Sequence, residues 1–194
     1  MALLARPPAS APDGVVAALP YVGRVREVML GLKYRNRRPV ARHLGGLLVN
    51  RLVAAGLQND IDVVTWAPTT GRHRRERGFD QAEVIARTAA RQLHVPCRRL
   101  LGRRGGGTSQ TGRSRAERMH APEFVGRPDL DGLRVLVVDD VVTTGSTLRA
   151  ARAALEARGA EVLPAAVAVT PEHARSRVVP PTVADRPLMG SRVA

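Results

Sequence analysis

At 194 residues, with 44% hydrophobic and 25% charged side chains, the chain has the size and composition of one globular domain that buries roughly 70% of its unfolded surface, which excludes the disordered, collagen-like and coiled-coil classes. Aromatics make up only 3%, so the core must be aliphatic, and the single cysteine, Cys97, excludes an intramolecular disulfide and any zinc site of the multi-cysteine kind, which points to a reducing cytoplasm. The net charge is +14, all of the positive side chains being arginine except Lys33; much of it gathers between residues 72 and 118, and that concentration asks for an anionic partner, small or large.

Residues 1–20, with Pro7, Pro8, Pro12 and Pro20 among Ala and Ser, predict an irregular lead-in. They lack the basic-then-apolar pattern of a signal peptide, and no apolar run approaches the about 20 residues of a membrane span. Val22, Val25, Val28, Met29 and Leu32 then recur at helical spacing, and a second amphipathic helix begins at Pro39 with Leu44, Leu47, Leu48 and Leu52 on one face. Residues 61–66 are short, β-branched and closed by Pro68, which predicts a buried strand. Trp66 at its end is expected to anchor the core, as is Phe79.

Asp80, with Glu83 three residues on, has the form of an N-cap and its reciprocal partner, opening a helix over about residues 80–94. Cys97 after Pro96 heads a further strand as a buried structural thiol. Residues 102–121 carry Gly105, Gly106, Gly107 and Gly112 among arginines without apolar periodicity; a loop of that length is functional or disordered. Residues 134–139 predict a second buried strand, residues 147–158 a helix with Gly159 just beyond, and residues 162–169 a third strand. Strand, helix, strand in that order means an α/β fold with a parallel sheet and a right-handed crossover. Residues 171–194, with Pro171, Pro180, Pro181 and Pro187, predict a weakly structured tail. The five histidines have no metal-ligand spacing.

One segment carries chemistry. Val135-Leu136-Val137-Val138 delivers Asp139 and Asp140 to the carboxyl end of a strand, where open parallel sheets bind ligands. Val141-Val142-Thr143-Thr144-Gly145-Ser146-Thr147 then leads into a helix. That helix N-terminus offers unpaired amides and the positive end of a dipole, Gly145 lets the backbone close around a tetrahedral anion, and Thr143, Thr144, Ser146 and Thr147 add hydroxyl donors. Two carboxylates beside such a cradle repel a phosphate but suit vicinal hydroxyls or a hydrated Mg2+ one ribose-width away. Together they imply a sugar phosphate.

The segment resembles the phosphoribosyl-pyrophosphate motif of type I phosphoribosyltransferases. The resemblance implies a central parallel sheet flanked by helices with a small hood, a phosphoribosyltransferase-like domain over residues 21–170, and a hood drawn from residues 21–56 or from the tail. It implies that Asp139 and Asp140 hold the ribose hydroxyls and Mg2+, and that Val141 and residues 143–147 hold the 5′-phosphate. Further blocks, Lys33-Tyr34-Arg35, residues 75–82 and residues 110–118, resemble those of the ComF-type branch. They lack the four-cysteine zinc module with which many of its members begin, so no zinc is expected.

In the resembling enzymes a loop after the first core strand contacts pyrophosphate, which implies roles here for Pro68, Thr69, Arg72, Arg75 and Arg77; the alternative for the arginines is a solvated basic turn. Residues 102–121 resemble the loop that closes over the site, bringing Arg113 and Arg118 to the pyrophosphate and excluding water. The family departs here at Trp66, at Asp80 in place of Asn, and at Ala121. Three readings follow: a phosphoribosyltransferase whose acceptor the sequence does not name, a non-catalytic protein of DNA uptake that binds nucleic acid through its basic surface, and a sensor of phosphoribosyl pyrophosphate. Dimers are common among the resembling enzymes.

Overall fold

The computed structural model describes residues 12–34, 38–70, 75, 78–103 and 122–171. In chain order its elements are β1 (Val16–Pro20), α1 (Gly23–Tyr34), α2 (Arg38–Ala54), β2 (Val63–Trp66), α3 (Gln81–Leu93), β3 (Leu101–Arg103), β4 (Phe124–Gly126), β5 (Arg134–Val142), α4 (Ser146–Glu156) and β6 (Glu161–Val169).

Four strands form a parallel sheet in the order β1-β6-β5-β2. At the outer edge of β2, Val64 bridges Cys97 in parallel; its amide donates to the Pro96 carbonyl at 2.9 Å and its carbonyl accepts from the Arg98 amide at 3.0 Å. A rudimentary fifth strand therefore runs from Pro96 towards β3, and Cys97 is half-buried in it, its thiol pushed up to about 11 chiefly by burial. β3 and β4 form a separate antiparallel pair.

Strand β5 is an unbroken apolar run because both faces of a parallel sheet are covered; Val135, Leu136, Val137 and Val138 are all at most 1% exposed. On one face Leu136 and Val138 pack with Leu44, Leu48 and Leu52 of α2 and Ile85 of α3. On the other, Val135 and Val137 pack with Leu148, Ala151 and Leu155 of α4 and with Leu101 of β3. The result is an α/β fold with a central parallel sheet flanked by helices, as expected. Truncating a fully buried leucine such as Leu136 to Ala costs about 2–5 kcal/mol.

Several boundaries differ from the sequence reading, each for a physical reason. β1 stands where an irregular lead-in is predicted: Val16-Ala17-Ala18-Leu19 is too short and too small in side chain to signal a strand by itself, and it becomes one by pairing with β6. The expected apolar face is only partly inside, since Met29 of α1 is buried whereas Val28 of α1 and Val22 just before it are more than 40% exposed. Residues 102 and 103, expected in the long loop, belong to β3, and β4 was not predicted at all. The remainder of the loop, residues 104–121, and residues 172–194 lie outside the described residues. Trp66 and Phe79 are core residues, as expected. No helix among the described residues is long and apolar enough to cross a membrane.

Candidate active site

Strand β5 runs three residues further than predicted, to Val142, so Asp140 is a strand residue like Asp139 instead of lying just beyond its end. They nevertheless clear the sheet on one side. β2 stops at Trp66, opposite Val138, while β6 continues beside Asp139, Val141 and Val142. Both residues thus lie at the carboxyl edge, past the end of the shorter neighbour.

The pair is arranged by its own backbone. The Asp140 amide donates to Oδ1 of Asp139, and the Val141 amide to Oδ1 of Asp140, each at 2.8 Å. Desolvation, with the adjacent charge of Asp140 and the more distant one of Asp80, raises Asp139 well above the usual carboxylate range. Asp139 makes no ion pair among the described residues. A carboxylate left in that condition gains from any cation or hydroxyl donor that arrives.

Two residues past β5 the chain turns into α4. Gly145 is its N-cap, buried and held at φ 75, ψ −4, a left-handed conformation that glycine adopts without the penalty of a Cβ. The glycine cap has no side chain and no acid stands in the first turn; the Ser146 amide reaches the Thr144 hydroxyl only at 3.4 Å, so the following amides and the dipole are left for an external anion. Thr143 and Thr144 are exposed and Ser146 and Thr147 partly so; the Thr144 hydroxyl donates to Oγ of Ser146 at 3.0 Å. A phosphate group can therefore meet amides and hydroxyls together, next to the acidic pair.

The turn after β2 forms the facing wall. The Ala67 amide donates to the Val138 carbonyl at 3.0 Å, which fixes the turn beside Asp139. Asp80 ties the far side: it is 6% exposed, and it accepts from the Thr69 amide at 3.0 Å and from the Ala82 amide at 3.1 Å. Burial raises its pKa, opposed by those amide hydrogen bonds. It caps α3 as expected, but the carboxylate of Glu83 pairs with Arg87 at 2.9 Å instead of returning to the cap. Pro68 is buried, Thr69 partly exposed, and the Thr69 amide is already engaged, leaving its hydroxyl as the free donor.

Of the arginines predicted to meet pyrophosphate, Arg75 is exposed, and Arg72, Arg77, Arg113 and Arg118 lie outside the described residues. The structure brings in two that sequence reasoning missed. Arg103, on β3, donates to the Pro68 carbonyl at 3.3 Å and lies 5.6 Å from the Phe124 ring centroid. Burial lowers its pKa while the charge of Asp139 works the other way. Arg149, on α4, donates to the Thr144 carbonyl at 3.1 Å and to Asp13 at 2.9 Å, bracing the phosphate loop against the N-terminal segment. Neither has a sequence signal: one precedes a glycine run, and the other's partner is 136 residues away.

The described residues contain no cluster of three or more His, Cys, Asp or Glu side chains able to hold a metal. Two hard carboxylates fit an ion that takes its other ligands from substrate oxygens and water, which is the habit of Mg2+.

The phosphoribosyl transferase domain family matches residues 80–183, a span that begins at the α3 cap and includes both carboxylates and the phosphate loop. No curated protein matches. Among solved structures, the chain is similar to a purine phosphoribosyltransferase from Pyrococcus horikoshii at 21% identity, covering 73% of this chain and 78% of that one with a TM-score of 0.45. It is similar to an adenine phosphoribosyltransferase from Leishmania tarentolae at 15% identity, covering 73% and 76% with a TM-score of 0.45. A hypothetical protein from Neisseria gonorrhoeae with bound ppGpp matches at 17% identity, covering 68% of each chain with a TM-score of 0.43.

Proposed function

The chain belongs to the phosphoribosyl transferase domain family, and from that premise we propose that it binds phosphoribosyl pyrophosphate with Mg2+ and transfers the phosphoribosyl group to an acceptor, releasing pyrophosphate. The observation that carries the reading is the juxtaposition of two strand-end carboxylates with an uncapped, acid-free helix N-terminus entered through a left-handed glycine. The ComF-type branch is the finer assignment we favour, on the blocks at residues 33–35, 75–82 and 110–118.

In this reading the α4 amides and the hydroxyls of Thr143, Thr144, Ser146 and Thr147 hold the 5′-phosphate, with Val141 and Gly145 shaping the loop. Asp139 and Asp140 accept from the ribose hydroxyls and supply the protein's oxygens to Mg2+. When bound, that ion neutralises charge on the pyrophosphate. As the bond from C1 to pyrophosphate lengthens, positive charge develops on the ribose ring, and the acidic pair beneath it stabilises that charge without a covalent nucleophile. Pro68, Thr69, Arg72, Arg75 and Arg77, with Arg113 and Arg118, would take the pyrophosphate side, Arg103 bracing the Pro68 turn.

Calorimetry with phosphoribosyl pyrophosphate and Mg2+ tests the reading. Saturable heat from the wild type that disappears in Asp139→Asn/Asp140→Asn supports it; no heat from the folded wild type overturns it. Pyrophosphate release against a panel of bases and amines then separates an enzyme from a sensor. The basic stretch between residues 72 and 118 favours a second reading, nucleic-acid binding, which salt titration isolates because many phosphate contacts weaken steeply with salt.

A further inference from the structure

A cleft of about 620 Å3 lies at the opposite end of β2 and β5 from the acidic pair. Val63, Leu100 and Leu130 form its floor, and Pro96 and Pro128 are exposed at its walls. Three arginines stand around it, Arg98, Arg99 and Arg127. All three are exposed, and none has an ion pair or side-chain hydrogen bond among the described residues. Their backbones are nonetheless fixed: the Arg98 amide donates to Val64 at 3.0 Å and the Arg127 amide to Leu100 at 2.8 Å.

The cleft's two carboxylates do not cancel them. Asp62 is already held by Arg134, at 2.7 Å to Nη2 and 3.0 Å to Nε, with the Arg134 amide at 2.9 Å. That leaves Asp129 against three guanidiniums. Arginine on a positively charged chain is common at any surface; here three of them ring an apolar hollow whose volume matches a small-molecule site. Guanidinium forks match phosphate oxygens, the prolines and leucines match the face of a flat ring, and Asp129 suits a ribose hydroxyl or an exocyclic amine.

We infer that this cleft is a second ligand site, separate from the phosphoribosyl site, and that it takes a free nucleoside polyphosphate. The wall of the cleft is also the segment that leads to the active site. The Leu100 amide donates to the Thr65 hydroxyl at 3.2 Å, and three residues later Arg103 grips the Pro68 carbonyl, so the two sites share one length of backbone.

The test is calorimetry with ATP as the probe, alongside tripolyphosphate and a single-stranded oligonucleotide. ATP is expected to bind one-to-one, equally in the wild type and in Asp139→Asn/Asp140→Asn, and at least about tenfold more weakly in Arg98→Ala/Arg99→Ala/Arg127→Ala, which loses all three charged forks. Tripolyphosphate, lacking the ring, binds more weakly than ATP. Pro128→Trp, which fills the hollow and leaves the charges in place, also weakens ATP. No saturable ATP binding overturns the proposal, as does unchanged binding in the arginine variant or binding lost only in the aspartate variant. Tripolyphosphate as tight as ATP, or an oligonucleotide tighter than ATP, overturns the free-nucleotide assignment. Because the aspartate variant separates the two sites, failure here leaves the phosphoribosyl reading standing, and failure there leaves this one.

Discussion

The two ends of β5 treat aspartate in opposite ways. At its amino end Arg134 grips Asp62 through backbone and side chain, and those hydrogen bonds hold the Asp62 carboxyl down at about 2. At its carboxyl end Asp139 has a second carboxylate for a neighbour and no ion pair among the described residues, and desolvation raises it well above the usual range. One end spends its charge on holding the strand in place. The other keeps a desolvated acidic pair at the carboxyl edge of the sheet, where a ligand's cation or hydroxyls can reach it, and the strand tolerates this because its middle is fully buried.

The largest expected effect breaks the functional end. Asp139→Asn/Asp140→Asn should lower pyrophosphate release by about 100-fold or more, the scale of losing a positioned electrostatic group, while circular dichroism stays that of the wild type. Next, Gly145→Val places a β-branched residue at φ 75, where a Cβ costs about 1–2 kcal/mol; phosphoribosyl pyrophosphate affinity should fall by about tenfold as the loop relaxes away from that conformation.

The contrast sharpens in stability against pH. Asp139 binds its proton more tightly folded than unfolded, so its cost to the fold is absent below the ordinary carboxylate pKa and grows as pH rises towards its raised value. Asp139→Asn should therefore melt a few degrees above the wild type at pH 8, with the difference vanishing below about pH 4; a variant that melts lower at pH 8 would contradict the assignment of strain to this end. Asp62 has the opposite sign. Its contribution is present above the ordinary value of 3.8 and is lost as pH falls towards about 2. Melting temperature followed from pH 5 to pH 2 should fall less steeply in Asp62→Asn than in the wild type, with Arg134→Ala lowering the melting temperature modestly at neutral pH. This is the smallest of the effects, since both partners are solvent-exposed and surface ion pairs contribute little.

How much of this was legible beforehand depends on the range of the interaction. The acidic pair, the phosphate loop, the Asp80 cap and the buried β5 run all announce themselves in short stretches, because strand alternation, capping and helix-end chemistry act over a few residues. β1 and β4 did not. Each is short, and each is a strand only because a partner more than 20 residues away supplies its hydrogen bonds. The last three residues of β5 carry no local signal for the same reason, since β6 prolongs the strand.

The sequence by itself determined the order of the elements and the chemistry of one turn, since both rest on local backbone preferences and on residue types in immediate succession. Tertiary structure decided what surrounds that turn: that the register sets the end of β2 opposite Val138 and opens a notch beside Asp139, that Arg103 and Arg149 brace the walls, and that three arginines from two separate segments ring one cleft. Those facts depend on strand register and on packing between distant segments, which no local pattern of residues encodes.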